Sequence, residues 1–248
     1  MLAIIQVGHN DASDRYIRNK VKAVEKAGMT AEVINLPEDC NTADVLQAIF
    51  AVDQRVDCKA IMVQLPLPEH LNKELILKRI PVAKDIDGLN PYSDYDPLTP
   101  SAIMRWCGAR DVPLEGKSVA ILGRSELVGK PLANMMIDAG ATVTVMNSKT
   151  PEDVRTRVCR AADIIVSAVG QANAVIGSYV HSLPRKTVID VGINRDLDGK
   201  LCGDVSYVAR GILILHGGYC TPVPGGVGKW TVRELVLRLA AMEGGDCR

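Results

Sequence analysis

Aromatic side chains are scarce in this 248-residue sequence, at 4%, and Phe50 is its single phenylalanine. A core must therefore be built mainly from Val, Ile, Leu and Ala, and there is enough of these to bury without staples. Net charge is absent too: 29 basic and 29 acidic residues cancel. That argues against a protein whose main task is to grip nucleic acid or an anionic membrane. No cysteines stand at C-x-x-C spacing. Cys40, Cys58, Cys107, Cys159, Cys202, Cys220 and Cys247 are scattered and odd in number. They read as reduced, mostly buried thiols in a cytosol rather than a disulfide framework or zinc site. His9, His70, His181 and His216 are equally dispersed, so no metal site is expected. The uncharged stretch from Ile164 to Pro184 is broken by Gly170, Gln171, Asn173, Gly177 and Pro184, and does not read as a membrane span. The apolar run Leu2 to Val7 lacks a basic leader and is only a strand long, so it reads as a core strand, not a signal peptide. A cytoplasmic protein with neither nucleic-acid nor membrane partners is expected.

What is present is alternation. Hydrophobic residues make up 47% and charged ones 23%, ordinary for a globular domain and unlike disordered or coiled-coil chains. Leu2 to Val7, Thr30 to Ile34 and Ala60 to Val63 read as strands. Ala12 to Ala27 reads as a helix stopped by Gly28. Asn41-Thr42 reads as the cap of a helix with Val45, Ile49 and Val52 on one face. The turn-rich, acidic segment Asp85 to Pro97 reads as an inter-domain connection. A helix is expected from Thr99-Pro100, where the two residues suit its first positions. A second series of strands follows at Ser118 to Leu122, Thr142 to Met146, Asp163 to Ala168, Thr187 to Val191 and Gly211 to Leu215. A helix ends at Ala139 before Gly140. The last helix, Thr231 to Met242, carries Val232, Leu235, Val236 and Leu239 on one face. Strands alternating with helices at this pace imply parallel βαβ units. The expected fold class is α/β: two α/β domains with parallel sheets, the second a Rossmann-type dinucleotide-binding domain.

The sequence from Val119 to Pro131 runs strand, tight turn, helix, with Gly123, Ser125 and Gly129 at the turn. Gly123 allows the turn, Gly129 permits close packing of the helix start, and free N–H groups there suit phosphate. The spacing is not the standard G-x-G-x-x-G, and glycines at such turns are often structural only. The next strand ends in Asn147-Ser148-Lys149, where an acid would hold the ribose hydroxyls of NAD. The missing acid, with Arg124 and Lys149 nearby, favours a 2′-phosphate and hence NADP; solvated surface charges are the plainer alternative. Tyr16 and Lys20 stand four apart on one helix face. A lysine whose pKa is lowered by burial can shuttle protons near neutral pH, although most such pairs are surface packing.

Several motifs occur in order: Val7-Gly-His-Asn-Asp-Ala-Ser-Asp-Arg-Tyr-Ile-Arg-Asn-Lys, Val63-Gln-Leu-Pro-Leu-Pro, Lys84-Asp-Ile-Asp-Gly-Leu-Asn-Pro, Gly123-Arg-Ser-Glu-Leu-Val-Gly-Lys-Pro, Val191-Gly-Ile-Asn and Thr221-Pro-Val-Pro-Gly-Gly-Val-Gly. Together they closely resemble the bifunctional methylenetetrahydrofolate dehydrogenase/methenyltetrahydrofolate cyclohydrolase family, over nearly the whole chain. The resemblance implies a folate-binding catalytic domain over 1–98, completed by a helix at 229–248, and an NADP-binding domain over 99–228, with the active site in the cleft between them. It implies Lys20 as the catalytic lysine, Tyr16 stacked on the folate, Gln64 orienting the lysine and Asp87 binding the pterin. Pro222 and Gly226 would form part of the folate wall. Gly123, Arg124, Ser125, Ser148 and Ile193 would line the dinucleotide, with Val169, Gly170 and Thr231 close by. It implies tetrahydrofolate one-carbon derivatives as substrates, NADP as cofactor and a homodimer. The reactions are oxidation of 5,10-methylenetetrahydrofolate and hydrolysis of the methenyl product to 10-formyltetrahydrofolate.

This sequence departs from the family at Asp11, at Pro97-Leu98-Thr99-Pro100 and at Lys229-Trp230. The family also has a helix before its first strand, so one face of that strand is expected to be open or covered by a dimer partner. Trp230 is expected to pack against the sheet. Rival readings are a two-domain dehydrogenase of shikimate type, a monofunctional dehydrogenase and a non-catalytic folate or nucleotide binder.

Overall fold

The computed structural model describes residues 1–9, 11–181, 184–196 and 198–244. Cys247 and the last residues of the expected 229–248 helix lie outside the described residues, as does Asn10 of the first motif. The chain divides into two compact units: Met1–Leu98 with the chain from Val232 onward, and Thr99–Thr231.

The first unit is built on β1 (Leu2–Val7), α1 (Asp11–Lys26), β2 (Ala31–Leu36), α2 (Thr42–Asp53), β3 (Ala60–Val63) and α3 (Lys73–Lys78). Its three-stranded sheet is parallel, in the order β2-β1-β3. Asn41 caps α2 in a full capping box with Asp44, and Val45, Ile49 and Val52 are buried as the spacing requires. The expected open face on β1 is not found. Ala3, Ile5 and Val7 pack against α2 and α3. Leu2 and Ile4 pack against Ile17 and Val24 of α1 and against Leu235 and Leu239. The chain's own helices thus cover both faces of the strand.

The chain crosses between units inside α4 (Leu98–Ala109). The segment before it is a folded loop, tied down by two buried residues. Asp85 accepts from the amides of Gly88 (3.1 Å) and Asn90 (2.7 Å), and Asn90 donates to the Ile80 carbonyl at 2.8 Å.

The second unit contains β4 (Ser118–Leu122), α5 (Gly129–Asp138), β5 (Thr142–Met146), α6 (Glu152–Ala161), β6 (Ile164–Ser167), α7 (Gly177–Val180), β7 (Thr187–Asp190), β8 (Asn194–Arg195), β9 (Leu201–Cys202), α8 (Tyr207–Leu215) and β10 (Tyr219–Cys220). Its main sheet is parallel, in the order β10-β7-β6-β4-β5. A final helix, α9 (Val227–Met242), starts in this unit and ends in the first. Trp230 packs on the core formed by β4, β6 and α5.

One expected strand is a helix. Gly211 to Leu215 lies within α8, and the strand is Tyr219–Cys220 instead. Ser206 caps the helix by accepting from the Ala209 amide at 3.2 Å. Ala209 and Leu213, one turn apart, are buried, whereas Ile214 and Leu215 are exposed. A five-residue apolar run is compatible with either period, and the cap upstream decides.

Lys186 is fully buried, and its Nζ donates to the carbonyls of Cys159 (2.7 Å), Arg160 (3.2 Å) and Ala162 at the end of α6. Burial lowers its pKa to about 8, and the carbonyl cluster at a helix C-terminus is the setting that favours a cation there.

Candidate active site

In the first unit, α1 places Tyr16 and Lys20 one turn apart, Tyr16 half-buried and Lys20 buried. The Lys20 Nζ donates to Gln64 Oε1 at 3.0 Å and lies 3.2 Å from Met62 Sδ. Met62 and Gln64 stand at the end of β3, two residues apart, and therefore point the same way. Gln64 is itself fixed: its amide Nε2 donates to the Leu65 carbonyl at 2.6 Å. That bond leaves Oε1 as the acceptor facing the lysine.

Burial pushes the Lys20 pKa down, opposed by the negative charge of Asp87. Burial pushes Asp87 up, opposed by Lys20 and Arg238. Burial also raises the Tyr16 hydroxyl. Lys20, Gln64 and Asp87 are thus one electrostatic group, in which the amine has a reason to release its proton. A pocket of about 180 Å³ adjoins it, lined by Gln64 and also by Gln6, His9, Ser13 and Glu38. Sequence reasoning missed these four, and Gln6 carried a signal: it is a buried amide inside the apolar run of β1.

Sequence reasoning also missed Arg238 of α9. It is buried and pairs with the equally buried Glu234 (3.2 Å). Its Nη1 donates to the carbonyls of Ile86 (3.1 Å) and Asp96 (2.8 Å), and its guanidinium lies over the Tyr95 ring. It therefore holds both ends of the loop that carries Asp87.

In the second unit, parallel register brings the expected dinucleotide residues to one sheet edge. Leu122 pairs with Met146 on one side and Ser167 on the other, and Ser167 pairs with Asp190. The segments with Gly123, Arg124 and Ser125, with Ser148, with Val169 and Gly170, and with Ile193 therefore all leave carboxyl ends of adjacent strands. Ligands of open α/β sheets bind at this edge, where the strand order reverses; here that point is β4. Gly123 has φ +109°, and a Cβ there would strike the Ala168 carbonyl; one at Gly129 would strike the Gly123 carbonyl. These glycines close the turn against the next loop. The helix-start amides are not free, however. Those of Val128 and Gly129 point at Ser125 Oγ at 3.2 and 3.4 Å. A rotatable hydroxyl stands where an anion's oxygen would.

Arg124, Ser148 and Lys149 are exposed, and Asn147 closes its own turn by accepting from the Lys149 amide at 2.8 Å. Pro222 and Gly226 follow β10, and Gly226 lies so close to the Pro222 carbonyl that a Cβ would overlap it. Thr231 sits in α9 and donates to the Val227 carbonyl at 3.1 Å.

A glycine-turned parallel sheet edge in one unit, and a buried lysine held by an amide in the other, define a dinucleotide-dependent α/β enzyme. The profile of the tetrahydrofolate dehydrogenase/cyclohydrolase catalytic domain matches residues 1–87, and that of the same family's NAD(P)-binding domain matches 97–243. The chain is 40% identical over 245 residues to the bifunctional protein FolD of Lysinibacillus sphaericus, covering 95% of this chain and 84% of that one. It is 41% identical over 244 residues to the FolD of Nitrosomonas europaea, covering 95% and 80%. Among solved structures it resembles the Campylobacter jejuni FolD dehydrogenase/cyclohydrolase, with TM-score 0.89, 36% identity and coverage of 98% and 87%. It also resembles the Trypanosoma brucei enzyme complexed with NADP and an inhibitor, with TM-score 0.89, 35% identity and coverage of 97% and 85%. A shikimate 5-dehydrogenase of Thermus thermophilus shares the fold at TM-score 0.60 and 16% identity, covering 98% and 94%.

The chain belongs to the tetrahydrofolate dehydrogenase/cyclohydrolase family. Among the described residues no helix is long and apolar enough to cross a membrane.

Proposed function

We propose that the protein oxidises 5,10-methylenetetrahydrofolate with NADP⁺ and hydrolyses the methenyl product to 10-formyltetrahydrofolate, with Lys20 moving the proton in the second step. The observation that carries this is the buried Lys20 amine, 3.0 Å from Gln64 Oε1 and coupled to Asp87. Tyr16 offers a ring for the pterin to stack on, and Asp87 a carboxylate for its ring nitrogens. Water adds to the methenyl carbon, a proton leaves that oxygen, and one carbon–nitrogen bond of the ring then breaks as its nitrogen takes up a proton. Neutral Lys20 Nζ takes the proton from the oxygen, and Gln64 keeps the lone pair aimed.

The sheet edge fits a dinucleotide: Gly123 and Gly129 let the turn close tightly on its own backbone, and Gly170 has open space where a Cβ would stand. Gly123, Ser125, Val169, Gly170 and Ile193 would hold it, with Thr231 nearby, and Arg124 and Ser148 would receive a 2′-phosphate. When bound, NADP⁺ supplies the hydride acceptor. That transfer needs positioning rather than a protein base. A homodimer and a reducing, cytoplasmic setting belong to the same proposal. The latter is supported by the free cysteines, four of them buried, among the described residues.

The direct test mixes purified protein with 5,10-methylenetetrahydrofolate and NADP⁺ or NAD⁺, and follows the methenyl chromophore as it appears and then disappears. No signal with either nucleotide would sink the reading. Arg124→Ala is expected to raise the KM for NADP⁺ about tenfold while leaving that for NAD⁺ within about twofold; equal changes would remove Arg124 from 2′-phosphate recognition.

The pH dependence has a definite sign. The acting form of Lys20 is neutral, and burial lowers its pKa below the ordinary 10.5. Hydrolysis, corrected for the uncatalysed rate, therefore rises with pH through a midpoint below that of an ordinary lysine. The Asp87 charge raises the Lys20 pKa, so Asp87→Asn shifts the kcat midpoint to lower pH at saturating folate. A midpoint moving upward would contradict the coupling.

A further inference from the structure

A second carboxylate, in the second unit, is wholly buried and belongs to no role described above. Asp204 Oδ2 accepts from Ser167 Oγ (2.8 Å) and from the amides of Val169 (3.1 Å) and Gly170 (3.3 Å). Its Oδ1 accepts from the Gln171 amide (3.0 Å) and from Asn194 Nδ2 (2.9 Å). The residue itself is held in place. Asp190 takes the amides of Asp204 (2.8 Å) and Val205 (3.1 Å) and pairs with Arg210 Nη2 at 2.6 Å. The arrangement is reciprocal in its glycines. A Cβ on Gly192 would fall into the Asp204 carboxylate, and one on Gly203 into that of Asp190. Both oxygens of Asp204 face donors only, so an amide in either orientation would set N–H against N–H.

We propose that Asp204 is a positioning residue for the dinucleotide, fixing the loop after β6 and the loop after β7 as one rigid border of the cofactor site. The proposal rests on the dinucleotide placement above, since those loops carry Val169, Gly170 and Ile193. It has a chemical corollary. The amides of residues 169–171 are consumed by Asp204, so the loop after β6 meets the cofactor through carbonyls and side chains. A purely structural clasp would change stability alone; a border of the site must also change nucleotide affinity.

The test measures NADP⁺ binding by titration and KM, for wild type, Asp204→Asn and Asn194→Ala. Hydrolysis of methenyltetrahydrofolate supplied directly serves in each sample as the reference for folded protein. Asp204→Asn is expected to weaken NADP⁺ at least about tenfold, because one buried donor mismatch is of that size. Asn194→Ala, which only unties the second loop, is expected to weaken it about threefold. The KM for methylenetetrahydrofolate should move by less than either. If both variants hydrolyse normally and bind NADP⁺ like wild type, the proposal is overturned. If Asp204→Asn does not fold, Asn194→Ala decides alone, and wild-type affinity in it would overturn the proposal. Should wild type itself fail to bind NADP⁺, the functional reading fails instead, and the two failures are distinguishable.

Discussion

Lys20→Met is expected to abolish hydrolysis of methenyltetrahydrofolate, by ~10²–10⁴-fold, the usual range for a positioned acid–base group. Hydride transfer from methylenetetrahydrofolate should keep most of its rate. The substitution suits the site: methionine is close to lysine's stem in length, and Met62 is already beside the amine, so packing is largely preserved. Only the amine is removed. Lys20→Arg separates charge from proton transfer, because a guanidinium stays protonated. If Lys20 acts only as a cation, arginine rescues hydrolysis. If it acts as a base, arginine is as inactive as methionine. Separate assays of the two reactions on each variant give the answer, and equal retention of both activities by Lys20→Met would refute the role.

The second large effect concerns stability. Arg238→Met leaves the buried Glu234 without its 3.2 Å partner and the carbonyls of Ile86 and Asp96 without their donor. Breaking one side of a buried pair costs about 3–5 kcal/mol, so the urea midpoint should fall steeply. The same change frees the loop bearing Asp87 and removes a charge that lowers the Asp87 pKa, so folate KM should rise. Glu234→Gln combined with Arg238→Met should be less destabilised than Arg238→Met alone, because the buried negative charge that faced the guanidinium is gone. Simple additivity of the two substitutions would show that the pair is not coupled.

The sequence was legible where a short-range rule had no competitor. The strands Leu2–Val7, Ala60–Val63, Ser118–Leu122 and Thr142–Met146 are seen as read, because each is an apolar run bounded by turn residues. The Asn41 cap and the buried Val45, Ile49 and Val52 follow from local spacing alone. Gly211 to Leu215 was misread because the run is too short to show a period. Its cap at Ser206 and the buried pair Ala209 and Leu213 lie partly outside it. The open β1 face is expected from the helix that the family carries before its first strand; the cover comes instead from this chain's own α1, α2, α3 and α9, the last more than two hundred residues away.

Sequence by itself determined the residue types able to do the chemistry: an amine at Lys20, an amide at Gln64, a carboxylate at Asp87 and a glycine turn at 123–129. It determined the alternation that makes parallel sheets, since hydrophobic period and turn chemistry act over a few residues. Tertiary structure alone decided which of these groups would be buried together. The depressed pKa of Lys20, the grip of Arg238 on the Asp87 loop and the five-donor clasp on Asp204 all depend on partners distant in the chain. Desolvation and hydrogen bonding are set by what surrounds a group in space, and no local spacing encodes that.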